Sequence, residues 1–205
     1  MKKIDFKKEL KEYYNPSPKK AVVVTVPEMN FITLSGKGDP NTSIDFQNGI
    51  EALFSVSYNI KFAVKKGKLQ VDYGVMPPEG LWWAMDMSKF SLEDKSDWIW
   101  KIMIMQPELI TQEMFDEAVP AVKKKKMLPS IDLLNMERIR EGLAVQMMHV
   151  GPFSTEIETM KVMEELMEKE CLIKEGKHHE IYLNDFRKVN PLKMKTILRQ
   201  PVRRG

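Results

Sequence analysis

Cysteine is nearly absent from this chain of 205 residues, and its only thiol is Cys171. A single cysteine excludes an internal disulfide and a structural zinc site built from several thiolates. The three histidines, His149, His178 and His179, lack the spacing of a metal-ligand set. We therefore expect no metal and no cofactor, and a reducing, cytoplasmic environment.

Long apolar runs are also missing. The opening segment MKKIDFKKELKEYY has no stretch of signal-peptide length, and no segment approaches the roughly 18 apolar residues of a membrane span. An excess of one charge is lacking too, because 32 basic and 29 acidic residues leave a net charge of +3. Such a balance is atypical of proteins that bind nucleic acid electrostatically. We expect neither a nucleic-acid nor a membrane partner, and a monomer or weak dimer.

What the chain does contain is a repeat. The order strand, turn, amphipathic helix, Lys-Gly stop, strand, loop, strand occurs at 29–106 and again at 142–205. An arm (1–28) precedes the first copy, and a connecting helix (107–141) is predicted between the two copies. A β-α-β-β unit cannot bury its helix face and sheet edge alone, so two units should pair. The predicted fold is a single α+β domain with one antiparallel-rich sheet, helices on one face and a central ligand cleft.

Three segments matter most for a site. LQVDYGVM (69–76) and HHEIYLND (178–185) alternate as strands do, and the repeat pairs them as equivalent strands. PPEGLWW (77–83) contains two prolines and a glycine and predicts a loop. Glu79 in that loop is a further carboxylate candidate, although loops place side chains unpredictably.

Strand alternation suggests a reactive group in the last of these segments. If Ile181 and Leu183 face the helices, then His178, Glu180 and Tyr182 face the cleft. Burial in an apolar cleft would raise the pKa of the Glu180 carboxyl toward that of a general base. The alternative is a solvated glutamate on an edge strand.

The same alternation in the first repeat places Asp72 opposite Val71 and Tyr73, on the cleft side. Asp72 would then be the counterpart of Glu180 in the other half of the repeat. An ordinary surface carboxylate is the competing interpretation.

Aromatic residues are concentrated in one stretch of 19 residues, which holds all four tryptophans: Trp82, Trp83, Trp98 and Trp100. Tryptophan is favoured where flat ligands stack, so these side chains are candidates for a cleft wall. At least two of them would equally suit a core, and alternation does not say which face of 98–105 meets the cleft. Tyr58 is a candidate hydroxyl donor. Met103 either adapts to a ligand or fills the core.

Several of these segments carry a family resemblance. GLWW (80–83), DWIWKIMIMQP (97–107), HVGPF (149–153), and HHEIYLND followed by KMKTILRQPV (193–202) are, in their order and spacing, similar to the GyrI-like small-molecule-binding family of the SOUL/GyrI superfamily. The resemblance implies two βαββ units, as in the effector domains of multidrug-sensing regulators. In those sensors an acidic residue at the cleft floor pairs with cationic lipophilic ligands, and Glu180 lies in the matching segment.

The resemblance also implies activities. Because no DNA-binding or coiled-coil segment is evident, the chain resembles stand-alone bacterial members, which include cyclopropanoid cyclopropyl hydrolases. These detoxify planar lipophilic DNA alkylators by opening a strained ring. Glu180 would orient or deprotonate water, and Tyr182 or Tyr58 would donate to the developing oxyanion. Two alternatives stay open: a non-catalytic module that sequesters lipophilic or cationic drugs, and a protein-binding role such as topoisomerase modulation.

Overall fold

The computed structural model describes residues 2–85, 94–185 and 187–205. The strands are β1 (Lys2–Ile4), β2 (Val22–Lys37), β3 (Val71–Tyr73), β4 (Pro78–Trp83), β5 (Ile99–Gln106), β6 (Asn135–Val150), β7 (Leu172–Lys174), β8 (His178–Tyr182) and β9 (Lys195–Arg204). The α-helices are α1 (Phe6–Glu9), α2 (Lys11–Tyr14), α3 (Ile44–Lys66), α4 (Gln112–Lys123) and α5 (Glu156–Lys169). Within these described ranges, no helix is both long and apolar enough to span a membrane.

The chain divides into two compact units. Unit 1 comprises Met1–Phe6, Met29–Pro78 and Trp82–Ile139, and unit 2 comprises Lys7–Glu28, Glu79–Leu81 and Arg140–Gly205. Apart from the three-residue strands β3 and β7, which each follow the helix, the element orders β2-α3-β4-β5 and β6-α5-β8-β9 are both strand–helix–strand–strand. The fold is therefore α+β with duplicated βαββ units and a largely antiparallel sheet, which confirms the predicted class.

In unit 1 the helix α3 packs on one face of β2 and β5. Ser43 caps the helix by accepting a hydrogen bond from the Phe46 backbone N–H at 3.1 Å. A Cβ added to Gly49 would lie 2.7 Å from the Ile102 side chain, so the glycine permits close helix–strand packing. The ring of Trp100 meets Phe46 edge-on at 5.2 Å. Since side chains alternate along a strand, Trp100 and Ile102 face α3 and Met103 projects from the opposite face.

In unit 2 the strand β9 pairs antiparallel with β6, β7 and β8. The α5 face of this sheet is an apolar cluster of Val145, Met147, Met163, Met167, Leu198 and Val202. Residues directly opposite in an antiparallel pair project from the same face. Glu180 lies opposite Leu198 and therefore faces α5, whereas His179 lies opposite Arg199 on the other face.

The segment 77–83 corrects one sequence prediction. It is not a loop, because strand β4 begins at Pro78, a position at which a strand tolerates proline. Strand β3 is only three residues long and pairs in parallel with β1 in a separate two-stranded sheet. The counterpart of β8 in the repeat is therefore β4, and the predicted equivalence of Asp72 with Glu180 is wrong.

Candidate functional site

Three polar side chains form a row on one face of β8. The Tyr182 hydroxyl donates a hydrogen bond to Glu180 Oε2 at 2.7 Å. The Nε2 atom of His178 lies 3.4 Å from Glu180 Oε1. The Glu180 side chain is 13% exposed, so the carboxylate is mostly shielded but still reaches the surface. Acid–base and hydrogen-bonding groups thus meet at a half-buried position.

Alternation predicts correctly that these three residues share a face, but the predicted orientation of that face is wrong. Glu180 lies on the side that α5 covers, and Ile181 points the other way. The reason is that the sheet is covered on both faces at β8. Ile181 in β8 and Leu198 in the neighbouring strand β9 are both fully buried, and they project from opposite faces. An apolar residue in this strand therefore does not identify the helix-facing side.

The exposed ring of Phe153 forms an apolar rim beside this row. The Phe153 ring meets Tyr182 edge-on, with 6.0 Å between centroids. Phe153 is 40% exposed, and Val150, Ile157 and Leu192 are exposed apolar residues of the same unit. Phe153 is not among the residues predicted from the sequence; its position before an amphipathic helix and next to a Gly-Pro turn was the available signal.

The opposite face of unit 2 holds a buried polar network. His179 lies between two carboxylates, with Nε2 2.9 Å from Glu79 Oε2 and Nδ1 2.8 Å from Glu141 Oε1. Arg199 donates to the second oxygen of Glu141 at 2.8 Å, and the Tyr14 hydroxyl donates to Glu79 Oε1 at 2.7 Å. Two carboxylates, an imidazolium and a guanidinium therefore balance one another in the interior, as buried charges must.

The network shifts the ionisation of its members. Burial alone would lower the pKa of His179, but the charge of Glu141 and hydrogen bonds with Glu141 and Glu79 raise it to about 9. Burial alone would raise the pKa of Glu141, but His179 and Arg199 hold it at about 2. Burial raises the pKa of Tyr14 well above its ordinary value, and the negative charge of Glu79 adds to this effect. At neutral pH, His179 is consequently protonated and donates to both carboxylates.

A break in the alternation of β6 brings Glu141 to this network. Leu143 packs on the α5 face, so a regular strand would point residue 141 to that face as well. Gly142 has φ +74, a left-handed conformation that favours glycine. This local irregularity turns Glu141 toward His179, as a bulge does in a paired strand.

The same network holds the segment that contains α2. Arg199 donates from Nη2 to the Tyr13 carbonyl at 2.6 Å, and Gln146 donates to the Glu12 carbonyl at 2.6 Å. Gln146 in turn accepts from Arg199 Nε at 2.9 Å. Together with Tyr14, these contacts attach the N-terminal part of unit 2 to its sheet.

The tryptophans predicted as ligand contacts occupy different environments. Trp82 and Trp100 are buried in the interface with α3, where both contact Phe46. Trp100 is fully buried, and a Cβ added to Gly36 would lie 2.2 Å from its ring. A ligand could stack on these two rings only by opening the core. Trp83 is half-buried.

The remaining candidates do not join the row on β8. Tyr58 is 46% exposed and lies on the surface of α3 between Phe54 and Phe62. Asp72 forms ion pairs with Lys65 at 2.8 Å and Lys61 at 3.5 Å. The hydrogen bond and charge of Lys65 lower the pKa of the Asp72 carboxyl. Met103 is buried on the β5 face that points away from α3.

Comparison with known proteins identifies the family of the chain. The family model described as "GyrI-like small molecule binding domain" matches residues 20–203. The chain therefore belongs to the GyrI-like family, and the resemblance drawn from its motifs is confirmed. No curated protein sequence matches the chain.

Solved structures give the same fold. An uncharacterized conserved protein from Listeria innocua is 43% identical, with a TM-score of 0.90 over 98% of this chain and 100% of that chain. A protein described as a hydrolase, also from Listeria innocua, is 42% identical, with a TM-score of 0.89 and the same coverage. The C-terminal domain of EcmrR is 12% identical, with a TM-score of 0.54 over 91% of this chain and 98% of that chain, which shows a shared fold alone.

Proposed function

We propose that this chain binds planar lipophilic compounds and hydrolyses the cyclopropane ring of cyclopropanoid DNA alkylators. The observation that carries the proposal is the contact of Glu180 with Tyr182 and His178 beside the apolar Phe153 rim. A half-buried carboxylate next to an apolar surface is suited to accept a proton from water while a flat ligand covers it. The 42% identical Listeria protein described as a hydrolase supports the same reaction class.

In the proposed reaction, water attacks the methylene carbon of a cyclopropane conjugated to a dienone. A C–O bond forms, the strained C–C bond breaks, and its electron pair moves through the ring to make a phenolate. Glu180 takes the proton lost by the water, and that proton reaches the phenolate oxygen through solvent. Release of ring strain lowers the demand on the protein, so acid–base help of about 10²–10⁴-fold is sufficient.

Tyr182 has a positioning role in this scheme. Its hydroxyl donates to Glu180 Oε2, which fixes the orientation of the carboxylate that takes the proton of water. Tyr182 or Tyr58 is the predicted donor to the developing oxyanion, but the Tyr182 hydroxyl is bound to Glu180 and so acts at the same end of the substrate as the base. The proposed orientation by Tyr182 is therefore the simpler role.

The test is incubation of the purified chain with a spirocyclopropane alkylator, followed by chromatography with mass detection. The hydrolase proposal expects a product heavier by one water and many turnovers per protein molecule. Substoichiometric product, or product formed at the rate in buffer alone, would exclude enzymatic hydrolysis.

The second candidate is a non-catalytic binder that sequesters lipophilic or cationic drugs. The same observation favours it, because a shielded Glu180 carboxylate beside an apolar rim also suits a lipophilic cation. The same chromatography distinguishes the two functions, since a sequestered compound is recovered unchanged. We place either function in the cytoplasm, in line with the exposed free thiol of Cys171.

A further inference from the structure

Helix α3 of unit 1 carries a row of aromatic rings on the side that faces away from its sheet. Phe54, Tyr58 and Phe62 follow one another at intervals of four residues, which places them on one side of the helix. Successive rings are 6.3 Å apart between centroids and tilted by 27°. Tyr58 is 46% exposed and Phe62 is 45% exposed. Val56 and Ile60, which α3 buries, lie on the opposite side of the helix.

The segment that follows α4 lies beside this aromatic row. The Nζ atom of Lys126 lies 3.4 Å from Ser55 Oγ and 3.7 Å from Glu51 Oε1, and both of these residues belong to α3. Met127, the next residue, is fully exposed. Apolar side chains that stay exposed next to one another mark interaction surfaces. We therefore treat the row and this segment as one surface of unit 1.

Lysines surround the row. The Nζ atoms of Lys61 and Lys66 lie 5.1 Å and 5.9 Å from the centre of the Phe62 ring. Lys124 and Lys125 precede Lys126 and are exposed. Within the part of the chain that the structure describes, Lys66, Lys124 and Lys125 form no ion pair with a carboxylate. Positive charge without a partner next to exposed rings attracts an anionic surface.

We propose that this surface of α3 docks on an anionic lipid membrane. The rings enter the headgroup region, and the lysines lie against lipid phosphates. Exposed apolar side chains and a basic cluster are the two contributions that together hold a protein at a membrane surface. Tyr58 suits this place, because its ring is apolar and its hydroxyl is polar. The predicted absence of a membrane partner rests on the lack of long apolar runs, and contact with one leaflet requires no such run.

Two other anionic partners fit this surface less well. Single-stranded nucleic acid binds in basic grooves, whereas rings in a row along one helix form a ridge. The chain as a whole also has nearly balanced charge, with 32 basic and 29 acidic residues. An acidic partner helix would need a groove as well. A lipid surface needs none, because its headgroups rearrange around a protruding ring.

The experiment is sedimentation of the full chain with vesicles of two compositions. One is phosphatidylcholine alone, and the other is an equal mixture of phosphatidylcholine and phosphatidylglycerol. We expect binding to the mixed vesicles and release when the salt is raised from about 0.1 M to about 1 M, which shortens the screening length from about 10 Å to about 3 Å. Equal binding to both compositions, or binding to neither, would overturn the proposal.

A pair of lysine variants tests the basic part of the surface. Each lysine near an anionic membrane contributes about fivefold to affinity, so Lys124→Gln combined with Lys125→Gln should weaken binding to mixed vesicles about 30-fold. Lys19→Gln combined with Lys20→Gln is the matched control, because it removes the same charge from exposed neighbours in unit 2. The control should bind as the wild type does. Equal losses in the two variants would show attraction by overall charge and refute this surface.

A second pair of variants tests the rings. Tyr58→Ser combined with Phe62→Ser removes apolar area that the membrane would cover, and affinity should fall at least about tenfold. Val23→Ser combined with Ile173→Ser is the control, because both residues are exposed to a similar extent in unit 2. Thermal unfolding of each variant confirms that it is folded. Wild-type binding by the folded Tyr58 and Phe62 variant would refute docking through the row.

A thymidine oligonucleotide is the competing probe. Its binding to the wild type, its loss in the Lys124 and Lys125 variant, and failure of both kinds of vesicle to bind would assign the surface to nucleic acid and overturn the proposal. None of these measurements involves the row on β8. Their outcome is therefore independent of the proposed hydrolysis.

Discussion

The Nδ1 atom of His179 lies 2.8 Å from Oε1 of Glu141. This ion pair depends on the backbone of Gly142, the residue that follows Glu141 in β6. Gly142 adopts φ +74 and turns Glu141 out of the regular alternation. One glycine thus allows both ring nitrogens of His179 to contact carboxylates.

Replacing that glycine tests the relationship. In Gly142→Ala the left-handed conformation costs about 1–2 kcal/mol for a residue with a Cβ. We expect the free energy of unfolding in urea to fall by about that amount, or further if Glu141 is displaced from His179. Gly74→Ala is the matched control, because Gly74 has no positive φ and its added Cβ meets open space. Equal losses in the two variants would contradict the role of Gly142.

The stability of the protein should depend on pH through two members of the network. The pKa of His179 is raised from 6.5 to about 9, so its contribution is complete below pH 6.5 and is lost as pH rises through 9. The pKa of Glu141 is lowered from 4.5 to about 2, so its contribution is complete above pH 4.5 and is lost as pH falls through 2. Maximal stability is expected between pH 4.5 and 6.5.

Urea unfolding across the pH range measures this dependence. The loss between pH 6.5 and 9 should be on the order of 3 kcal/mol, at 1.36 kcal/mol for each unit of pKa difference. His179→Gln should be less stable at pH 6 and should lack the decline above pH 6.5. A decline of the same size in His179→Gln would assign it to another group.

The Tyr14 hydroxyl should contribute to the attachment of α2. Tyr14→Phe removes the hydrogen bond to Glu79 and leaves a buried carboxylate oxygen without its donor, which costs about 1–3 kcal/mol. Thermal unfolding and amide hydrogen exchange are the measurements, and exchange should rise first at residues 11–17. Tyr13→Phe is the control, since Tyr13 contributes its backbone carbonyl to Arg199. Unchanged exchange in Tyr14→Phe would show that the hydroxyl does not hold this segment.

Variants of the β8 row test the proposed chemistry. Glu180→Gln should lower kcat/KM for a spirocyclopropane alkylator by about 10²–10⁴-fold, because the amide cannot accept the proton of water. Tyr182→Phe should lower kcat while it leaves KM close to that of the wild type, as expected for a residue that orients the base. Glu168→Gln, at an exposed α5 position, should have wild-type kinetics. Full activity in Glu180→Gln would reject this residue as the base.

The sequence predicts the repeat well where local patterns are strong. Helix α5 and strand β8 fall where periodicity and alternation indicate them, and Ser43 begins α3 through a hydroxyl cap. Strand β4 was not predicted because Pro78 and Gly80 are loop signals. Proline is nevertheless tolerated at the first residue of a strand, which is where Pro78 lies. That omission shifted the repeat and gave Asp72 a partner on the wrong strand.

Strand alternation alone could not predict the buried network around His179. Glu141 belongs to it only through the left-handed Gly142, and a glycine within a strand was the sole signal of that irregularity. Arg199 lies in an apolar strand next to Leu198, where its charge had no visible partner in the sequence. Both partners of His179 come from other strands, and pairing between distant strands is not encoded in local spacing.

The two faces of β8 also protect the folding of unit 2 against errors of register. A slip of one residue in a strand exchanges its faces. In this strand the slip would carry Glu180 to the side of Glu79 and Glu141, where three carboxylates would share one guanidinium. It would also bury the imidazole of His179 against the methionines of α5, away from both of its carboxylate partners. Misaligned pairing is therefore destabilised by repulsion between carboxylates on one face and by desolvation of the imidazole on the other. Both effects favour a single register of the strands.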